Sequence, residues 1–76
     1  MATTRTLRIV LRKEADGNYT AIVPSLPGCI TWGDSVETAL QMAREAIEAY
    51  VAVLEEEGEP IPDDADTFEY SMQLTA

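Results

Sequence analysis

The sequence predicts an α+β fold in the order β-β-β-α-β, and three observations carry that prediction. Two segments, 5–13 and 67–74, alternate apolar and polar residues with the period of a half-buried strand. A third, from about Val36 to Glu57, repeats apolar residues at spacings of three and four, the period of an amphipathic helix. Two turn signals, Asp16-Gly17-Asn18 and Leu26-Pro27-Gly28-Cys29, fold the first half into a three-stranded antiparallel meander.

In the first strand, RTLRIVLRK, Leu7, Ile9 and Leu11 point to one face while Arg8, Val10 and Arg12 point to the other. Gly17 supplies the positive φ of a tight hairpin. Tyr19 to Val23 forms the return strand, with Tyr19, Ala21 and Val23 on one side. Pro24 ends it by removing a backbone donor. Pro27 and Gly28 then fill the second and third positions of a type II turn, and Cys29 to Trp32 is a short third strand.

Gly33-Asp34-Ser35 breaks that strand and caps a helix. Ser35 or Asp34 serves as N-cap, and Asp34 with Glu37 would make a capping-box-like pair. Val36, Leu40, Ala43, Ile47, Tyr50 and Leu54 make the apolar stripe of a helix roughly 33 Å long at 1.5 Å per residue. Gly58 is the expected stop, and Pro60 and Pro62 prevent continuation. After the polar loop EPIPDDAD, Phe68, Tyr70, Met72 and Leu74 alternate with Glu69, Ser71 and Gln73 as a fourth strand. The helix is thus a crossover that returns this strand to the sheet, right-handed if the pairing is parallel.

Length and composition set bounds. Seventy-six residues suit one domain spanning 1–76. Burial in a domain this small only narrowly offsets the entropy of ordering the chain, so a homodimer or higher homo-oligomer is expected. The single Cys29 forms no internal disulfide and fits a reducing cytosol; it reads as a small buried hydrophobe. MATTRTLR holds no apolar core of a signal peptide, and no apolar run approaches a membrane span. A cytoplasmic location is the expectation.

The net charge is −9, from fourteen acids against five bases. Four of the bases, Arg5, Arg8, Arg12 and Lys13, lie in the first strand. Eight acids and no base lie between Glu55 and Glu69. Such a chain repels phosphate backbones, so direct nucleic-acid binding is not expected. A basic protein partner would be attracted and its arrival hastened. The bland reading of the same charge is solubility.

The segment Tyr19–Pro62 reads YTAIVPSLPGCITWGDSVETALQMAREAIEAYVAVLEEEGEPIP. A strand ending in Pro, then x-L-P-G-C, a Gly-Asp step, an Ala-rich helix and a closing E-E-G-x-x-I-P together resemble the HicB-like antitoxins. The resemblance covers nearly the whole chain. It implies a partial RNase-H-like fold and an antitoxin of a type II toxin–antitoxin system. The implied partner is a small basic HicA-like toxin that cleaves mRNA, which the antitoxin binds and blocks. Two departures stand out. Many members carry a C-terminal DNA-binding helix-turn-helix or ribbon-helix-helix, and none is expected here. Many have Asp in the turn where this chain has Ser25.

On that reading the toxin-binding candidates are Pro24, Ser25, Leu26, Pro27 and Gly28 of the turn, Trp32 and Asp34 after it, and the acids Glu55, Glu56, Glu57, Glu59, Asp63 and Asp64. The turn reads first as a rigid connector that fixes the meander, and the two roles are compatible. Trp32 is either an interface anchor or a core residue packed on the helix. The three glutamates oppose the helix macrodipole, so local helix stability does not explain them. They are either a solvated helix end or a lure for a cationic partner.

An RNase-H-like fold raises the question of catalysis. Two-metal chemistry needs several converging carboxylates. The first strand has no acid along its centre, and Glu14 and Asp16 belong to the hairpin turn. Histidine, a phosphate-binding glycine loop and a nucleophile–base pair are all absent from the sequence. No enzyme activity, metal or cofactor is expected. The alternative to an antitoxin is an orphan oligomeric structural or sensor protein without a toxin.

Overall fold

A computed structural model describes residues 4–75 of the chain; Met1 to Thr3, part of the leader reading above, lie outside the described residues. Three strands and one helix follow in order: β1 (Val10–Lys13), β2 (Tyr19–Ile22), β3 (Ile30–Gly33) and α1 (Val36–Glu56). The strands form one antiparallel sheet in the order β1-β2-β3. Val10 faces Ile22 and Lys13 faces Tyr19 across the first pair, and Ile22 faces Ile30 and Tyr19 faces Gly33 across the second. The α+β class, the meander and the helix that follows it are as the sequence predicts.

Local chemistry accounts for each junction. The β1–β2 turn closes with the Asn18 carbonyl accepting from the Glu14 N–H at 2.8 Å, and Gly17 takes φ +90°. The Leu26–Cys29 turn closes with Cys29 N–H donating to Leu26 C=O at 3.0 Å, with Gly28 at φ +81°, the geometry of a type II turn. Ser35 is the N-cap, and its hydroxyl oxygen accepts from the Thr38 N–H at 3.1 Å. At the other end Glu59 N–H donates to Leu54 C=O and Gly58 N–H to Glu55 C=O, the paired bonds of a Schellman stop.

The helix lies on the face that carries Leu7, Ile9, Leu11, Tyr19, Ala21 and Val23. Ala39 and Ala43 pack on Ala21, and small residues at this crossing bring helix and sheet close together. Farther along, Ala46, Ile47, Tyr50 and Leu54 cover Val23, Leu26 and Cys29. Full burial of a side chain such as Leu26 contributes about 1.5–3 kcal/mol. The row Val10–Ile22–Ile30 lies by register and alternation on the opposite face, which the helix leaves open.

Four expectations need correction. The capping partner is Thr38 with Ser35, not Glu37 with Asp34. Val36 and Leu40 are more than a third exposed, because the buried stripe is centred on Ala39 and Ala43 instead. The first strand is four residues long rather than nine, because the backbone of the leading segment bonds elsewhere: Thr6 and Arg8 N–H donate to the Asp63 and Asp64 carboxylates, and Asp64 N–H donates to Thr6 C=O. The fourth strand is not formed among the described residues. Thr67 N–H closes a turn onto Asp64 C=O, and residues 68–75 leave it with no ladder partner among the described residues. A strand pattern specifies two faces, but pairing requires an accessible edge, and the backbone of the segment before β1 is already bonded to Asp63 and Asp64.

Candidate functional site

The turn 24–28, the C-terminal half of α1 and the acidic loop 59–64 converge at one end of the molecule. Two side-chain bonds hold them there. The Tyr50 hydroxyl, on the buried helix stripe, donates to Pro27 C=O at 2.9 Å. The Ser25 hydroxyl donates to an Asp64 carboxylate oxygen at 2.6 Å, and the other oxygen accepts from Arg8 N–H at 3.0 Å. The turn is therefore braced from both sides. Leu26 at its centre is 1% exposed and anchors it in the core.

These bonds sort the turn residues. Pro24, Pro27 and Gly28 face solvent and Ser25 is half-buried. Leu26 and Asp64 are interior, so they offer no docking surface, and both are corrected from contact candidates to supports. The Arg8 N–H and then the Ser25 hydroxyl hold the Asp64 carboxyl below its ordinary value; burial opposes them and the Arg8 charge adds to the lowering. The carboxylate stays ionised because its oxygens accept bonds that a proton would disrupt.

Beside this brace, Glu55, Glu56, Glu57, Glu59 and Asp63 are all exposed. Asp63 also fixes its own loop, accepting from the Thr6 and Ala65 N–H groups. Between the helix and the leading segment lies an open hollow of about 350 Å³. Leu7, Ile47, Val51 and Ile61 make its apolar wall, with Glu48, Glu55 and Arg5 among its polar lining. An apolar hollow with carboxylates beside it accommodates the stem and head of a long cationic side chain.

Trp32 and Asp34 do not join this cluster. Gly33 between them packs against Thr38 and Ala39 near the start of the helix. That places them about 25 Å from Glu55 at 1.5 Å per helical residue. Trp32 is 71% exposed, which overturns the core-packing reading of it: by register it stands opposite Thr20, on the sheet face that the helix leaves open. Cys29 is buried, as expected, and burial raises its thiol pKa.

Sequence reasoning missed Tyr50 and Arg8. Tyr50 was legible only as a stripe residue, and nothing local points its hydroxyl at Pro27. Arg8 pairs with Glu69, while its Nε and Nη1 are buried without a partner among the described residues. No group of three or more potential metal-ligating side chains is found among the described residues, and no helix there is long and apolar enough to cross a membrane.

Comparison with known proteins gives the arrangement a context. A family model described as a HicB-like antitoxin of bacterial toxin–antitoxin systems matches residues 7–75. A UPF0150 protein of Synechocystis is 46% identical over 54 residues, covering 71% of this chain and 68% of that protein. A UPF0150 protein of Thermoplasma acidophilum is 43% identical over 56 residues, covering 74% and 81%. Among solved structures, the N-terminal domain of the Burkholderia pseudomallei antitoxin HicB superposes with a TM-score of 0.66 at 32% identity, over 87% of this chain and 72% of that one.

Proposed function

We propose that this chain, which belongs to the HicB-like antitoxin family, neutralises a small basic HicA-like toxin by binding it and blocking its mRNA-cleaving site. The observation that carries the reading is the braced acidic end: five exposed carboxylates beside a turn locked by Tyr50 and Asp64. A nuclease that handles RNA needs a cationic surface, and an anionic surface on a braced turn and loop complements it with less backbone left to order at the moment of binding. The same charge disfavours direct binding of nucleic acid by this segment.

The exposed docking set is Pro24, Pro27, Gly28, Glu55, Glu56, Glu57, Glu59 and Asp63, with the hollow beside Glu48 and Glu55 receiving a Lys or Arg of the toxin. Ser25, Leu26 and Asp64 hold the turn. Trp32 and Asp34 stand about 25 Å away along the helix, outside this cluster. The chain inhibits by occlusion and breaks no bond itself, and it acts in the cytoplasm, where mRNA is.

Co-expression with a small basic protein encoded beside it tests the proposal. Rescue of growth together with co-purification is the expected result. Toxicity that persists while both proteins are soluble would overturn it.

A further inference from the structure

We propose that the hollow between α1 and the leading segment binds a linear alkyl polyamine, a methylene chain with an ammonium at each end. This binding does not depend on a toxin. Only its consequence, competition with a cationic side chain of the toxin for the same hollow, rests on the function proposed above.

The period of the helix lays the site out. Glu48, Val51, Ala52 and Glu55 all line the hollow. Spacings of three, four and seven put them on one stripe of α1. The stripe therefore reads carboxylate, apolar pair, carboxylate. Seven residues set the two glutamates about 10.5 Å apart along the axis. Leu7 and Ile61, from the segments before β1 and after α1, extend the apolar wall. The hollow holds about 350 Å³, at the small end of the range for small-molecule sites.

That order of groups fits one ligand chemistry. No group of three or more potential metal-ligating side chains is found among the described residues, and a bare cation would gain nothing from the apolar wall. A single ammonium engages one glutamate and leaves the other. A chain with two charged ends engages both, while its methylenes lie along Val51 and Ala52 and leave water, as the stem of a lysine does on an apolar surface. In spermidine nine bonds separate the terminal nitrogens, a span of about 11 Å at the roughly 3.6 Å per three bonds of a fully extended chain. This matches the spacing of the two glutamates.

The charges around the hollow leave a place for such a ligand. Arg5 lines it as well and makes no ion pair among the described residues. The hollow thus already accommodates a cation on an alkyl stem. Two acids against this one base leave the lining net negative. Glu55 has no cationic partner among the described residues. Arg44 reaches Glu48 at 3.6 Å, but both side chains are mostly exposed, and such a pair yields easily to a closer cation.

Titration of the full chain with spermidine, followed by amide chemical shifts in the absence of toxin, tests the proposal. Saturable shifts should centre on Glu48, Val51, Ala52, Glu55 and Ile61. Magnesium at equal charge concentration should not reproduce them. Octylamine, a chain of similar length with one ammonium, should bind about tenfold more weakly, the loss of one charge-assisted contact. Glu48→Gln and Glu55→Gln should each weaken spermidine by about the same factor. Glu45→Gln removes equal charge from the same helix outside the hollow and should change binding much less. Arg5→Gln should tighten it. All four substituted residues are exposed, so helical circular dichroism should be unchanged. The absence of saturable shifts, their reproduction by magnesium, equal binding of octylamine, or a loss in Glu45→Gln as large as in Glu48→Gln and Glu55→Gln would each overturn the proposal. None of these results alters the co-expression test, which reads toxin neutralisation separately.

Discussion

Ser25 and Asp64, 39 residues apart in sequence, share a 2.6 Å hydrogen bond in which the hydroxyl donates to the carboxylate. It joins the turn after β2 to the loop after α1, and the same carboxylate receives Arg8 N–H from the segment before β1. Three stretches of chain thus meet on one side chain. Ser25→Ala should cost about 1.5–3 kcal/mol, the scale of a hydrogen bond to a charged group. Urea denaturation checks this, with a lowered midpoint expected at unchanged slope.

Acid should act through the same carboxylate. The folded Asp64 and Glu14 carboxyls are both held below their ordinary values, Asp64 first by Arg8 N–H and Glu14 first by the Thr20 hydroxyl. The unfolded chain therefore takes up protons before the folded one does. The stabilisation is fully present above about pH 4, the ordinary carboxylate range, and is lost as pH falls through the lowered folded values. Asp64→Asn should flatten this acid limb of a stability–pH curve. An unchanged limb would remove Asp64 as its source.

Tyr50→Phe keeps the ring in the core and removes the bond to Pro27 C=O. It should cost about 0.5–1.5 kcal/mol, the net value of one neutral hydrogen bond. Its more specific effect is on the turn 24–28, where amide exchange should speed up. Partner dissociation should quicken as well if the turn is a contact.

Reversing Glu55, Glu56, Glu57 and Glu59 to Lys should separate stability from function. Positive charge at a helix C-terminus favours the macrodipole, so the fold should become more stable. Association with a basic toxin should slow by about tenfold or more at low salt, with the difference shrinking as salt rises. Equal rates for the two proteins at low salt would remove the acidic end from the encounter.

Gly33→Ala probes the crossing of β3 and α1. A Cβ there would lie 2.5 Å from the backbone nitrogen of Ala39, too close for either element to absorb without shifting. A loss of about 3 kcal/mol is expected, at the upper end of overpacking costs. Thermal unfolding measures it, with Ala43 as a reference position on the same interface.

The sequence by itself determined the meander, the helix and both turns, because each is written in local signals: alternation, three-and-four spacing, Pro-Gly and Asp-Gly pairs, a Ser cap and a Gly stop. It also marked the acidic end and the family resemblance. Tertiary structure alone decided which residues of the helix stripe are buried, since the close crossing at Ala39 and Ala43 turns Val36 and Leu40 outward. It decided that Asp64 is a support while Asp63 and the glutamates face solvent, since burial depends on which distant donors arrive. It also left Phe68–Leu74 unpaired. Alternation encodes the two faces of a strand but says nothing about where its backbone will find an edge, and that partner is set by how the rest of the chain folds.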